Sequence, residues 1–169
     1  LALGGDALGR NDLIDAARKG ALFVLANLRD DDGRLLRTRR QNQSKLNAYL
    51  DDYAFLVDGL LALHKVTGEA DWLNAARRLT DDQIELFWDD AEHGFFFTSD
   101  HHEELLARTK NAYDSVIPSG NAVAARNLIR LAQLTGEVAY RDRATQTLQV
   151  FAGNLQERPT GLTFMALAL

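Results

Sequence analysis

The stretch Leu50-Asp51-Asp52-Tyr53-Ala54-Phe55-Leu56-Val57-Asp58-Gly59-Leu60-Leu61-Ala62-Leu63 is apolar nearly all round at helical spacing. A helix with one apolar stripe lies on the outside of a packed layer, whereas one apolar on every side is buried. Residues 119–135 repeat the second pattern, with Ala122, Val123, Ala124, Ala125, Leu128, Ile129, Leu131, Ala132 and Leu134. Three other segments are two-faced. Residues 12–28 carry Leu13, Ala17, Ala21, Val24, Leu25 and Leu28; residues 71–88 carry Trp72, Ala75, Ala76, Leu79, Leu86 and Phe87. Residues 139–155 carry Tyr140, Ala144, Leu148, Phe151 and Leu155. The predicted order is therefore outer, inner, outer, inner, outer.

The punctuation repeats in step. Gly9, Gly68 and Gly136 each stand three residues before a predicted outer helix, where glycine can take the left-handed conformation that ends the preceding helix. Aligning these glycines superposes Asp12-Leu13-Ile14-Asp15-Ala16-Ala17-Arg18 on Asp71-Trp72-Leu73-Asn74-Ala75-Ala76-Arg77. Self-similarity at this period marks a repeat of helix pairs. Inner helices ringed by outer ones describe an all-α fold, a partial (α/α)6 toroid, with residues 1–169 as a fragment of one domain. Two full pairs and parts of two more supply about half a ring. Strand-like runs follow two outer helices, Gly33-Arg34-Leu35-Leu36 and Gly94-Phe95-Phe96-Phe97, and residues 94–99 and 105–110 are predicted to form a hairpin. The apolar ends, Leu1-Ala2-Leu3 and Leu162 to Leu169, are read as cuts from a longer chain. Half a ring leaves apolar faces uncovered, so self-association through the toroid edges is expected.

Composition narrows the function classes. The chain is 46% hydrophobic and 25% charged, with a net charge of −5, which argues against a nucleic-acid surface because phosphate binding needs clustered Lys and Arg. Arg34, Arg37, Arg39 and Arg40 follow Asp30-Asp31-Asp32 and are read as a solvated loop. There is no cysteine, which removes disulfides, thiolate metal sites and thiol redox chemistry from this segment. No apolar run approaches the ~20 residues of a membrane span, and the expected location is the cytoplasm. The run His101-His102-Glu103-Glu104 is read as a solvated loop rather than a metal site, since adjacent loop residues rarely converge on one ion. No cofactor is expected: the chain has no Gly-rich phosphate loop, nucleophile elbow or dinucleotide fingerprint.

Three motifs carry a resemblance: Leu50 to Leu63, Gly94-Phe95-Phe96-Phe97-Thr98-Ser99-Asp100, and Arg108-Thr109-Lys110-Asn111-Ala112-Tyr113-Asp114-Ser115-Val116-Ile117-Pro118-Ser119-Gly120-Asn121. Together they resemble a family of long proteins with an N-terminal thioredoxin-like domain followed by a helical toroid, whose animal members are called spermatogenesis-associated. The toroid is similar to six-hairpin glycosidases and N-acylglucosamine 2-epimerases. The resemblance implies the later part of the toroid, without the thioredoxin-like domain, which becomes an expected partner. One departure is Asn111, where the family usually has Asp.

Shifting the first inner helix by 68 residues places Asp51 and Asp52 on Ser119 and Gly120, and Tyr53 on Asn121. All then lie at inner-helix N-termini, at one rim with a positive potential. In the resembled toroids carbohydrate sites lie at this rim, so a carbohydrate is the expected ligand. Asp51 and Asp52 are candidate acid/base residues with Asp114 as second carboxylate, since glycoside cleavage needs two carboxyls roughly 5–9.5 Å apart. Tyr49, Tyr53 and Tyr113 are candidate sugar platforms, Arg108 and Lys110 candidate binders of an acidic group, and Ser119 and Asn121 candidate polar contacts. Helix capping explains the same Asp and Ser residues without any ligand, and a non-enzymatic scaffold packing on a partner is the alternative function. Asp58 lies inside the first inner helix, and the same shift sets Arg126 opposite it, predicting a structural ion pair.

Overall fold

The computed structural model describes residues 1–102 and 107–169. Its α-helices are α1 (Ala2–Ala7), α2 (Asn11–Asn27), α3 (Leu50–Thr67), α4 (Ala70–Phe87), α5 (Gly120–Thr135), α6 (Val138–Val150), α7 (Ala152–Glu157) and α8 (Thr163–Ala166). Strands β1 (Leu36–Arg40) and β2 (Gln43–Asn47) form one antiparallel hairpin. Helices α3 and α5 are the buried inner pair and pack on each other, with α4 against α3 and α6 against α5. Their apolar side chains, with Trp72, Leu79 and Phe87 of α4 and Tyr140 and Ala144 of α6, make the main core.

The glycine punctuation has the conformation its role demands. Gly9, Gly68 and Gly136 have φ of 64°, 71° and 77°, and the amides of the last two close α3 and α5 onto the carbonyls of His64 and Ala132. The outer helices start at Asn11, Ala70 and Val138, one residue earlier than the glycine count places them. The third ends early: Phe151 leaves helical geometry (φ −99°, ψ 7°), and α7 continues at an offset.

Three expectations are corrected. The hairpin predicted over 94–99 and 105–110 does not form among the described residues; Phe95 instead bridges to Trp88, and a single bond joins the Phe97 amide to the Thr109 carbonyl at 2.8 Å. Leu105 and Leu106 of its second arm lie outside the described residues, as do Glu103 and Glu104. Arg37, Arg39 and Arg40 of the basic run read as a loop lie on strand β1, which turns into β2 through Gln41 and Asn42 at φ 49° and 60°, the paired left-handed conformation of a tight hairpin.

The third correction concerns Asp58. Its partner is Arg130 at 2.6 Å, while the Arg126 guanidinium lies 5.1 Å from the Phe164 ring centroid. Counting from glycines gave a shift of 68, but the helix caps Tyr49 and Ser119 are 70 residues apart. Facing residues are staggered further: the Asn127 amide donates to the Ala54 carbonyl at 2.8 Å. The interhelical ion pair exists, one turn beyond its predicted partner. Burial depresses the Arg130 pKa, and Asp58 pulls it back up.

Leu1, Leu8 and Phe23 are exposed towards the start of the chain, and Leu167 and Leu169 at its end. Among the described residues no helix is long and apolar enough to cross a membrane.

Candidate functional site at the inner-helix starts

The starts of α3 and α5 meet. Asp51, in the first turn of α3, sets its carboxylate against Gly120, the first residue of α5, whose backbone N–H draws the carboxyl pKa down. A β-carbon at Gly120 would overlap Asp51 Oδ1 and come within 2.9 Å of Leu50 Cγ. The starts of the two inner helices are therefore side by side, with Asp51 against Gly120. A carboxylate on a helix N-terminus is favoured by free N–H groups and the dipole.

Asp51 is half-buried. Burial pushes its carboxyl above the usual carboxylate range, the Asp52 charge adds to the rise, and the Gly120 N–H and Arg37 pull against it. Asp52 Oδ2 accepts the Tyr49 amide at 2.9 Å, half of a capping box. Its other neighbour is Arg37, whose Nε lies 4.0 Å from Asp52 Oδ2 and whose guanidinium stacks on Tyr49 at 4.6 Å. Arg37 is a rim residue that sequence reasoning missed; only its exposed place on a strand beside the α3 start would have marked it.

Most other candidates are committed to holding the rim together. The Ser119 hydroxyl caps α5 through the Ala122 amide at 3.3 Å and donates to the Ala112 carbonyl at 2.9 Å. Asp114 accepts the Ser119 amide at 3.1 Å, the Thr163 hydroxyl at 3.0 Å and the Phe164 amide at 2.8 Å. It thereby ties the start of α5 to the start of α8, with both oxygens occupied. Asn121 is fully buried: its Oδ1 accepts the Phe95 amide at 2.9 Å, and its Nδ2 donates to the carbonyls of Phe95 at 2.9 Å and Asn111 at 3.0 Å. Tyr53 is also buried, with its ring edge-on to Phe87 and its hydroxyl accepting the Leu35 amide at 2.8 Å. Asn121 and Tyr53 are therefore core supports and not ligand contacts.

The proposed aromatic and basic contacts change in the same way. Tyr49 is stacked on Phe97 at 4.8 Å and His102 at 4.7 Å, besides Arg37, so a sugar ring would have to displace one of them. Tyr113 stays half-exposed, with its hydroxyl accepting the Asn154 amide group at 3.0 Å. Arg108 donates to the carbonyls of Thr98 at 2.8 Å and Leu86 at 3.1 Å and covers the Phe96 ring. Lys110 pairs with Asp89 at 2.7 Å and donates to the His93 carbonyl at 2.7 Å. Neither cation is left for an acidic ligand. Asn111 Oδ1 accepts the Tyr113 amide at 3.0 Å, a local turn bond that Asp makes equally well, so this departure from the family costs no geometry.

The Asp89–Lys110 pair has a measurable signature. The Lys110 hydrogen bond holds the Asp89 carboxyl at about 2, against desolvation. A depressed pKa stabilises the fold above the unfolded value of 3.8 and is lost as pH falls towards about 2. In Lys110→Met the acid-unfolding transition is expected to move to higher pH, with a loss of about 1–3 kcal/mol at pH 7 from the missing charge-assisted hydrogen bond. An unchanged acid limb in circular dichroism would show that the pair carries no stability.

Two grooves lie elsewhere on the molecule. A groove of about 640 Å³ is lined by Arg29, Asp32, Arg34, Asp81, Asp82 and Glu85 among others, and one of about 410 Å³ runs between α1, α2 and α3. Among the described residues no group of three or more His, Asp or Glu is placed to hold a metal.

Paired helices whose inner members start at one mouth define the (α/α) toroid class, and solved structures agree. The chain superposes on a glycoside hydrolase of family 105 from C. acetobutylicum with a TM-score of 0.72 at 12% identity, covering 90% of this chain and 45% of that one. For the cellobiose 2-epimerase of Spirochaeta thermophila the values are 0.69, 16%, 89% and 39%. For the GH76 alpha-mannanase of Bacteroides thetaiotaomicron they are 0.66, 17%, 85% and 38%. By sequence the chain is a homologue of spermatogenesis-associated protein 20, in agreement with the motif resemblance. It is 36% identical to the Rattus norvegicus protein over 99% of this chain and 35% identical to the Homo sapiens protein over the same share. The chain spans 23% of the length of each of these relatives. No family model matches it.

Proposed function

We propose that this chain forms part of a six-hairpin glycosidase-like toroid that binds or processes a carbohydrate at the inner-helix starts. Asp51 is the proton-holding carboxyl, and Asp52 and Arg37 are its polar neighbours. The observation that carries this reading is the half-buried Asp51 carboxyl at the joined starts of α3 and α5, raised in pKa by burial and by Asp52. A group tuned upward keeps a proton to donate nearer neutral pH. The toroid fold, shared with a mannanase and an epimerase, supports the same reading.

Asp51→Asn is the informative variant, because Asp52 and Asp114 also hold caps. A raised folded pKa gives stability that is full below the usual carboxylate range and is lost as pH rises through the folded value. Asn keeps the acceptor for the Gly120 N–H and removes the titration. The variant is expected to melt as high as the parent protein or higher at pH 7, without the decline in stability above pH ~4, and to lose turnover of a glycan substrate by about 10²–10⁴-fold. Melting curves across pH 3–8, with oligosaccharide binding and turnover alongside, check this. A variant that melts lower at every pH while handling oligosaccharide normally would leave capping as Asp51's whole role.

A second reading, a non-enzymatic scaffold packing against the thioredoxin-like domain of a longer chain, has one observation in its favour. Val116 and Ile117 form an exposed apolar tip on the loop that Asp114 pins, and such a tip suits a protein contact.

A further inference from the structure

The β1–β2 hairpin stands out by charge. Its residues 36–47 carry Arg37, Arg39, Arg40 and Lys45 and no carboxylate, in a chain of net charge −5. It is also fixed in place. Arg39 donates to the Asn27 carbonyl at the end of α2 at 3.2 Å and to the Ser44 hydroxyl at 3.1 Å. Asn47 donates to the His101 carbonyl at 2.8 Å, and Arg37 lies between Tyr49 and Asp52 at the opening.

Strand alternation separates two sets of cations. Arg37 and Arg39 turn towards the protein. The pairings Thr38↔Lys45 and Arg40↔Gln43 put Arg40 and Lys45 together on the opposite face. Both residues are exposed, and among the described residues their side-chain ends make no hydrogen bond or ion pair. Cations without a partner among the described residues keep their charge for a ligand, whereas Arg108 and Lys110 are consumed internally.

We propose that this hairpin is the subsite for the acidic residues of a uronate-bearing carbohydrate chain whose neighbouring sugars enter the Asp51–Asp52 opening. The proposal rests on the carbohydrate reading above and gives it a substrate class. Arg37 stands on the α3 side of the hairpin beside Asp52, and Arg40 and Lys45 on its other face, so a chain that leaves the α3 start and crosses the hairpin edge meets cations on both faces. A flexible polyanion of regular carboxylate spacing complements such a row of charges, and its binding weakens with salt.

The test is calorimetric titration of the protein with hexagalacturonate, with cellohexaose of the same length, and with a hexathymidylate, each in low and in roughly 0.3 M salt. The double variant Arg40→Gln/Lys45→Gln is run in parallel. The expected result is that hexagalacturonate binds at least about tenfold more tightly than cellohexaose, and that the variant and the added salt each remove roughly that factor. Cellohexaose affinity is expected to be unchanged in the variant. Equal affinity for the two sugars, or a variant that binds hexagalacturonate as the parent does, overturns the acidic-substrate proposal and leaves the carbohydrate reading standing. Hexathymidylate binding as tightly as hexagalacturonate overturns it in favour of a general polyanion surface. If neither sugar binds at millimolar concentration, the carbohydrate reading falls and the proposal falls with it.

Discussion

Asn121→Ala is expected to be the most damaging single substitution at the opening, lowering stability by about 3–5 kcal/mol. Three hydrogen bonds end on this fully buried amide, and its removal strands the Phe95 N–H and the carbonyls of Phe95 and Asn111. Each orphaned buried group costs about 1–3 kcal/mol, since water cannot reach it. At this chain length that corresponds to a fall in melting temperature of about 10 °C. Asn121→Asp separates the bonds: it keeps an acceptor for the Phe95 amide but loses both donations and buries a charge, so it is expected to be at least as harmful. Calorimetric or dichroic melting of both variants checks this. A loss under about 1 kcal/mol for Asn121→Ala would mean that the α5 start is not anchored through this side chain.

Gly120→Ala is expected to destabilise the protein, although two physical arguments give it opposite signs. Helix propensity alone makes Ala better than Gly by about 1 kcal/mol. The close approach of α3 says otherwise, because the new methyl would overlap the Asp51 carboxylate and crowd Leu50 Cγ and Cδ2 at 2.9 and 3.0 Å. Overpacking of this kind costs about 1–3 kcal/mol, and Asp51 also loses its place on the Gly120 N–H. A net loss is therefore expected, with a changed pH dependence of stability above pH ~4. Asp51→Ala should relieve only part of the strain, because the Leu50 contacts remain. A double-mutant cycle is expected to show coupling of at least about 0.5 kcal/mol. A stabilised Gly120→Ala would show that the two helix starts stand farther apart.

Why some of this was legible in the sequence follows from what each signal measures. Burial periodicity reports which face of a helix is apolar, so α3 and α5 were separable from α2, α4 and α6 residue by residue. Gly68 and Gly136 marked the helix ends because their left-handed backbone is a local requirement. The hairpin escaped because its turn is made by Gln41 and Asn42, without the glycine that usually signals left-handed turn residues. The Asp58 partner was placed one turn short because parallel neighbouring helices are staggered, and a repeat offset contains no information about stagger.

At the inner-helix starts, residue type and spacing carried no information about the direction of each side chain. Tyr53 and Asn121 occupy helix starts like Asp51, yet both point into the core and serve backbone groups there. Arg108 and Lys110 carry the charge an acidic ligand needs, yet nearby carbonyls and Asp89 satisfy them first. The distinction is made by long-range partners such as Leu86 and His93, which no local pattern reveals. Arg37 is the reverse case: an ordinary strand arginine by sequence, brought to the mouth by the hairpin's docking on Tyr49.

The most direct measurement is an amide chemical-shift titration of the isotope-labelled protein with oligosaccharide. The expected shifts cluster on Arg37, Asp51, Asp52 and Gly120, and they vanish in Asp51→Ala while the rest of the spectrum is kept. Shifts confined to the charged groove of Arg29, Asp82 and Glu85, or an unaltered spectrum at millimolar sugar, would contradict a carbohydrate site at the joined starts of α3 and α5.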